Sequence, residues 1–251
     1  MDMKLAGKTA LVTGASSVGL GRAIALGLAR EGVKVTITAR RGDLLRAAAQ
    51  EIKAASGHEP YVIEGDLYQP ETPARIAAEA LEKLGRVDIL VNAAGGSRPI
   101  PFATPAAVWD ESMLLNFARL RELTHAILAG MMEKKWGRVI SLTGTSEPYN
   151  INAANPAKAA IHAWTKGLSR EMGKHVRAAD LFGIATRAHR ARAMAERMRR
   201  DLWSPDGDFQ LCPPARGDGA GGGGHVHLCS LLVHRFNIVC QPGRDRRAIV
   251  H

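Results

Sequence analysis

The chain has 251 residues, 46% of them hydrophobic, enough for one domain with a large buried core. Lys and Arg outnumber Asp and Glu by 34 to 24 for a net +10, and the three cysteines, Cys212, Cys229 and Cys240, lie late without a CxxC pair, which argues against a disulfide framework. No apolar run approaches the ~18–20 residues that span a bilayer, and the start MDMKLAGKTALVTG lacks a secretory apolar core, so the expectation is a cytoplasmic chain with no membrane partner.

Short apolar runs alternate with helical patterns along the first 175 residues. Strands are predicted at Thr9–Thr13, Lys34–Thr38, Tyr61–Glu64, Ile89–Asn92 and Val139–Leu142, and helices near Gly21–Glu31, Asp43–Ser56, Pro73–Leu84, Pro105–Lys134 and Pro156–Lys174. Helices between strands supply the crossovers that parallel strands require. The fold class predicted is therefore α/β, a doubly wound parallel sheet of Rossmann type. Asn155-Pro156 reads as an N-cap followed by a first-turn proline, which places Lys158 in the first turn of its helix.

The first strand runs into Thr13-Gly14-Ala15-Ser16-Ser17-Val18-Gly19-Leu20-Gly21. Glycines at a strand-to-helix turn let the backbone approach a pyrophosphate, whose charge meets free N–H groups at the helix start. The second strand ends Thr38-Ala39-Arg40-Arg41, with no acid before Asp43. Arginine there suits the 2′-phosphate of NADP(H), where an acid would bind the free ribose of NAD(H). NADP(H) is expected over NAD(H), and a solvated arginine pair is the plainer alternative.

The glycine turn, Asn92-Ala93-Ala94-Gly95 and the helix bearing Lys158 together resemble the short-chain dehydrogenase/reductase family over about residues 4–175. This chain has four residues between Gly14 and Gly19 where the family has three, and Ala93 in place of a second asparagine. The resemblance implies that Gly14, Ser16, Ser17, Gly19 and Gly21 hold the pyrophosphate and Arg40 the 2′-phosphate. It puts Asp66 and Asn92 on the adenine side, Lys158 at the nicotinamide ribose, and Leu67 and Ala94 among the cofactor-binding residues. The activity implied is hydride exchange between NADP(H) and a small or medium carbonyl or alcohol, and relatives are commonly homo-oligomers.

In the family a tyrosine passes the proton, a lysine four residues later lowers its pKa, a serine holds the substrate oxygen and an asparagine completes the proton path. Residues at i and i+4 share a helix face, so a cation can favour the phenolate. Lys158 and Asn116 match the lysine and asparagine. Ala154 stands at the tyrosine position and Gly144 at the serine position. Replacement hydroxyls are Thr143, Thr145, Ser146 and Tyr149, though a tyrosine so placed is more often a loop aromatic capping the core edge than a relocated acid. Asn116 has its own structural alternative, a hydrogen bond to backbone where the long helix distorts. The rival to an enzyme is a non-catalytic nucleotide-binding or scaffold protein.

Beyond His175 the character changes. Residues 176–251 hold twelve arginines and no lysine, five of nine histidines and a glycine run at 217–224. They are read as a separate tail, a divergent C-terminus or a GC-rich gene read out of frame, with no sixth strand in evidence. A helix at Ala188–Trp203 and a strand at Leu228–Val239 are the only periodic stretches. His225, His227, Cys229 and His234 have no familiar zinc spacing, so no metal is expected. The basic stretch Arg187–Arg200 is read as a solvated face rather than a grip on nucleic acid.

Overall fold

The computed structural model describes residues 4–97, 99–144, 148 and 150–173, and the backbone of 177–182. The chain alternates β1 (Thr9–Thr13), α1 (Leu20–Arg30), β2 (Lys34–Ala39), α2 (Gly42–Ser56), β3 (Tyr61–Glu64), α3 (Thr72–Leu84), β4 (Ile89–Asn92), α4 (Ala106–Met113), a π-helical turn (Leu114–Ala118), α5 (Arg119–Glu133), β5 (Arg138–Thr143), α6 (Ala154–Met172) and β6 (Arg177–Phe182). All strand pairs are parallel, in the order β3-β2-β1-β4-β5-β6. This is the doubly wound order of a dinucleotide-binding sheet.

Both faces of the sheet are covered, which is why β1 (TALVT) and β4 (ILVN) are buried throughout. Alternate residues serve opposite layers. Ala10, Val12, Ile89 and Val91 pack with Ile24 and Leu28 of α1 and Leu45 and Ile52 of α2. Leu11, Leu90 and Val139 pack with Ile76 of α3, Leu120 and Ile127 of α5 and Ile161 of α6. At the N-terminal edge Asp88 ties β4 to β1: its Oδ2 accepts from Thr9 N at 3.0 Å, and its own N–H donates to Thr9 Oγ1 at 3.0 Å. Asp88→Ala is expected to cost about 2–3 kcal/mol in urea unfolding, because a buried N–H loses its acceptor. A loss below about 1 kcal/mol would refute that role.

Three expectations need correction. The sixth strand exists: Arg177–Phe182 pairs in register with Arg138–Thr143. The long helix is interrupted, since residues 114–118 form a π-helical turn around Asn116. Helix α6 begins at Ala154, ahead of Pro156, with Ala153 at the N-cap, so Asn155 lies inside the helix rather than capping it; just before the start, Asn152 Oδ1 accepts from Ala154 N at 2.9 Å. Lys158 consequently lies beyond the first turn. The helix and strand expected at 188–203 and 228–239, the histidine and cysteine cluster and the basic stretch lie outside the described residues.

Candidate active site

A crevice of about 620 Å³ opens at the C-terminal ends of the strands, where the strand order reverses between β1 and β4. Gly14 makes its first wall. It has φ +71°, and a Cβ there would stand 2.8 Å from Ala93 O and from Ala94 N and Cα. A Cβ on Gly21 would meet Gly14 O at 2.6 Å, so this glycine lets α1 pack against the end of β1. Around Gly19 the space is open, with only Ser17 Oγ at 3.8 Å from such an atom. Gly19 is extended and caps α1 without a side-chain bond, which leaves the first-turn N–H groups of α1 free to meet an anion. Val18 is 74% exposed, so the additional residue of the turn is taken up on its outer side.

Thr13 holds the opposite lip in place. Its Oγ1 accepts from Ala93 N and Ala94 N, both at 2.9 Å, and donates to Val91 O at 3.2 Å. Of the expected cofactor residues, Gly14, Ser16, Ser17, Gly21, Arg40, Asp66, Leu67, Ala94 and Lys158 line the crevice. Gly19, between the lining residues Ser17 and Leu20, does not line it. Asn92 does not reach it: the side chain is fully buried, and Nδ2 donates to Thr124 Oγ1 at 3.0 Å. Its expected adenine contact is therefore replaced by a tie between β4 and α5, because the inward position on a four-residue buried strand points it into the layer below.

The mouth near β2 is basic. Arg40 and Arg41 both line it, and the Arg40 guanidinium lies 5.7 Å from the centre of the Tyr68 ring. Tyr68 was not anticipated from sequence. Its hydroxyl donates to Glu111 Oε1 at 2.8 Å, a partner 43 residues away, and only its place two residues after Asp66 could have drawn notice. Burial, then the hydrogen bond to Glu111, pushes the Tyr68 phenol above its ordinary 10.0.

At the other end Asn116, Ala154 and Lys158 meet. Asn116 is 1% exposed; its Nδ2 donates to Ser112 O at 3.0 Å and Gly96 O at 3.2 Å, and its Oδ1 accepts from Gly96 N at 3.2 Å. The π-helical turn thus carries the backbone-holding alternative for Asn116, while the residue still faces the crevice. Ala154 lines the wall with a methyl group alone, and Gly144 adds no side chain. Lys158 reaches in from α6, and burial lowers its pKa from 10.5 to about 8. Thr145, Ser146 and Tyr149 lie outside the described residues. Among the described residues no group of His, Cys, Asp and Glu is placed to hold a metal ion, and no helix is long and apolar enough to cross a membrane.

Residues 8–196 match the family of short chain dehydrogenases. The chain belongs to the short-chain dehydrogenase family. That family is one of NAD(P)-dependent oxidoreductases, and its match here runs past residue 175, in keeping with the sixth strand. The 3-oxoacyl-(acyl-carrier-protein) reductase of Aquifex aeolicus is 33% identical over 177 residues, 68% of this chain and 71% of the relative. The 7alpha-hydroxysteroid dehydrogenase of Escherichia coli K12 is 35% identical over 178 residues, 69% of this chain and 68% of the relative. Among solved structures, a metagenomic short-chain oxidoreductase in complex with NADP has a TM-score of 0.73 at 30% identity, covering 82% of this chain and 94% of its own. A 7α-hydroxysteroid dehydrogenase solved with NADH and 7-oxo glycochenodeoxycholic acid has a TM-score of 0.66 at 30% identity, covering 70% of each chain.

Proposed function

We propose that the protein is an NADPH-dependent reductase of small or medium carbonyl compounds. The observation that carries the cofactor choice is the pair Arg40 and Arg41 at the crevice mouth, with no carboxylate at the end of β2. A 2′-phosphate there meets a fork of guanidinium donors, whereas the free ribose of NADH meets no acceptor from β2. The remaining lining fits the same ligand. The bare N-terminus of α1 suits the pyrophosphate, Asp66 the adenine side, and the Lys158 ammonium the nicotinamide ribose. Bound there, the reduced nicotinamide supplies a hydride. The chain's own residues fix its position and exclude water around the carbonyl.

Fluorescence titration with NADPH and NADH tests the choice. NADPH is expected to bind more tightly, and Arg40→Asp to weaken NADPH by roughly tenfold to a hundredfold, since a charged hydrogen bond contributes about 1.5–3 kcal/mol. NADH binding should change much less. Tighter NADH binding by the wild type, or no effect of Arg40→Asp, would refute it.

A second reading has its own observation. Ala154 and Gly144 carry neither phenol nor hydroxyl, which suits a protein that binds the nucleotide without turning it over. NADPH oxidation over a panel of aldehydes and ketones separates the two. Binding without turnover favours the second.

A further inference from the structure

Beside the crevice lies a smaller cavity of about 280 Å³, walled on its apolar side by Ile100, Val108 and Leu115. Ala154 and Asn116 face both spaces, so the two meet where a larger residue at position 154 would stand. Lys158 follows Ala154 by one turn on the same face of α6. Two missing side chains admit it. A Cβ on Gly144 would stand 3.2 Å from Lys158 Cβ, and one on Gly95 would stand 3.1 Å from Lys158 Nζ and 2.5 Å from Asn116 Oδ1. Nζ and Asn116 Oδ1 thus flank the same spot beside Gly95, on the crevice side of the junction. Among the described residues no carboxylate pairs with this ammonium and no acceptor takes its protons.

We propose that Lys158 itself delivers the proton to the substrate's carbonyl oxygen, in place of a phenol at position 154. The proposal rests on the reductase reading above. As the carbonyl carbon takes a hydride from the reduced nicotinamide, an Nζ–H bond breaks and an O–H bond forms. Nζ keeps the electron pair as a neutral amine, and solvent entering the crevice returns the proton. The carbonyl is reduced, the nicotinamide oxidised, and one proton is consumed.

Desolvation supports the assignment, because it brings the donor to about 8, where it releases a proton near neutral pH. Among the described residues, the ionisable groups besides Lys158 that face the two cavities are Arg40, Arg41, Asp66, Tyr68 and Glu111. Of the elements packed around the ammonium, α6 adds His162 one turn further on, and Arg119 at the end of the π-helical turn is paired with Glu122 at 2.8 Å.

Lys158→Arg and Lys158→Ala test the proposal. Arginine keeps the charge and a donor for the ribose but does not release its proton. In Lys158→Arg turnover is expected to fall at least ~100-fold, well beyond any loss of NADPH affinity measured in the same variant. Turnover in Lys158→Ala should recover with added primary ammonium salts, at rates that follow the pKa of the amine. In the protein without nucleotide, acetylation of Lys158 by acetic anhydride, read by peptide mass spectrometry, should reach half its limiting rate near pH 8. Undiminished turnover in Lys158→Arg, absence of amine rescue, a labelling midpoint at the ordinary lysine value, or loss of turnover in Tyr149→Phe would each overturn the proposal alone. So would NADPH binding by the wild type with no turnover. Failure of the wild type to bind NADPH would overturn the reductase reading, and this proposal with it.

Discussion

Lys158→Met is expected to make the protein more stable at neutral pH, by on the order of 3 kcal/mol, while abolishing its reductase activity. The lysine pKa falls from 10.5 to about 8 on folding because burial penalises the ammonium, and each pKa unit is worth about 1.4 kcal/mol. The sign follows from proton binding. Between pH 8 and 10.5 the unfolded chain holds the proton and the folded chain has released it, so stability rises with pH across that window. Below pH 8 the folded protein bears the whole penalty. Methionine has a similar stem and no charge, so it removes the penalty at pH 7 and changes little at high pH. Urea unfolding of both proteins at pH 7 and above pH 10 measures this. A destabilised variant at pH 7, or a difference independent of pH, would show that the ammonium is not held at a cost. A residue that stabilises when removed is one retained for function.

Gly14→Ala is expected to destabilise the fold by about 3 kcal/mol or more and to weaken nucleotide binding with it. At φ +71° a side chain is strained, a cost of about 1–3 kcal/mol. The added methyl would also sit 2.8 Å from three backbone atoms of Ala93 and Ala94. Backbone atoms at the end of a central strand have nowhere to go without separating β1 from β4. Gly19→Ala provides the contrast: its Cβ would meet nothing closer than 3.8 Å, so stability should hold while the approach of a phosphate suffers. Urea midpoints of the two variants decide the matter. A loss below about 1 kcal/mol in Gly14→Ala would contradict the packing described.

What the sequence disclosed, and what it withheld, follows from how local each determinant is. β1 and β4 are short uninterrupted apolar runs buried on both faces, and such runs declare themselves. The glycine turn was readable for the same reason, since its conformational demands lie within nine residues. β6 was not. Its residues Arg177-Ala178-Ala179-Asp180 have no β-branched side chain, and the strand owes its existence to pairing with β5. The π-helical turn was foreshadowed only as a distortion at Asn116; the partner of that side chain, Gly96, lies twenty residues back. The Tyr68–Glu111 bond and the burial of Asn92 beneath Thr124 are likewise tertiary facts. The absences at 154 and 144 were plain from the family resemblance, but only the packing around Lys158 gives them a chemical consequence.

The central claim is that one crevice, from the α1 turn to Lys158, takes NADPH along its length. A crystal structure of the NADPH complex tests this most directly. The account predicts the pyrophosphate at the start of α1, the 2′-phosphate hydrogen-bonded to Arg40 and the nicotinamide ribose hydrogen-bonded to the Lys158 ammonium. A nucleotide bound elsewhere, or one whose nicotinamide end leaves Lys158 without a contact, would contradict it.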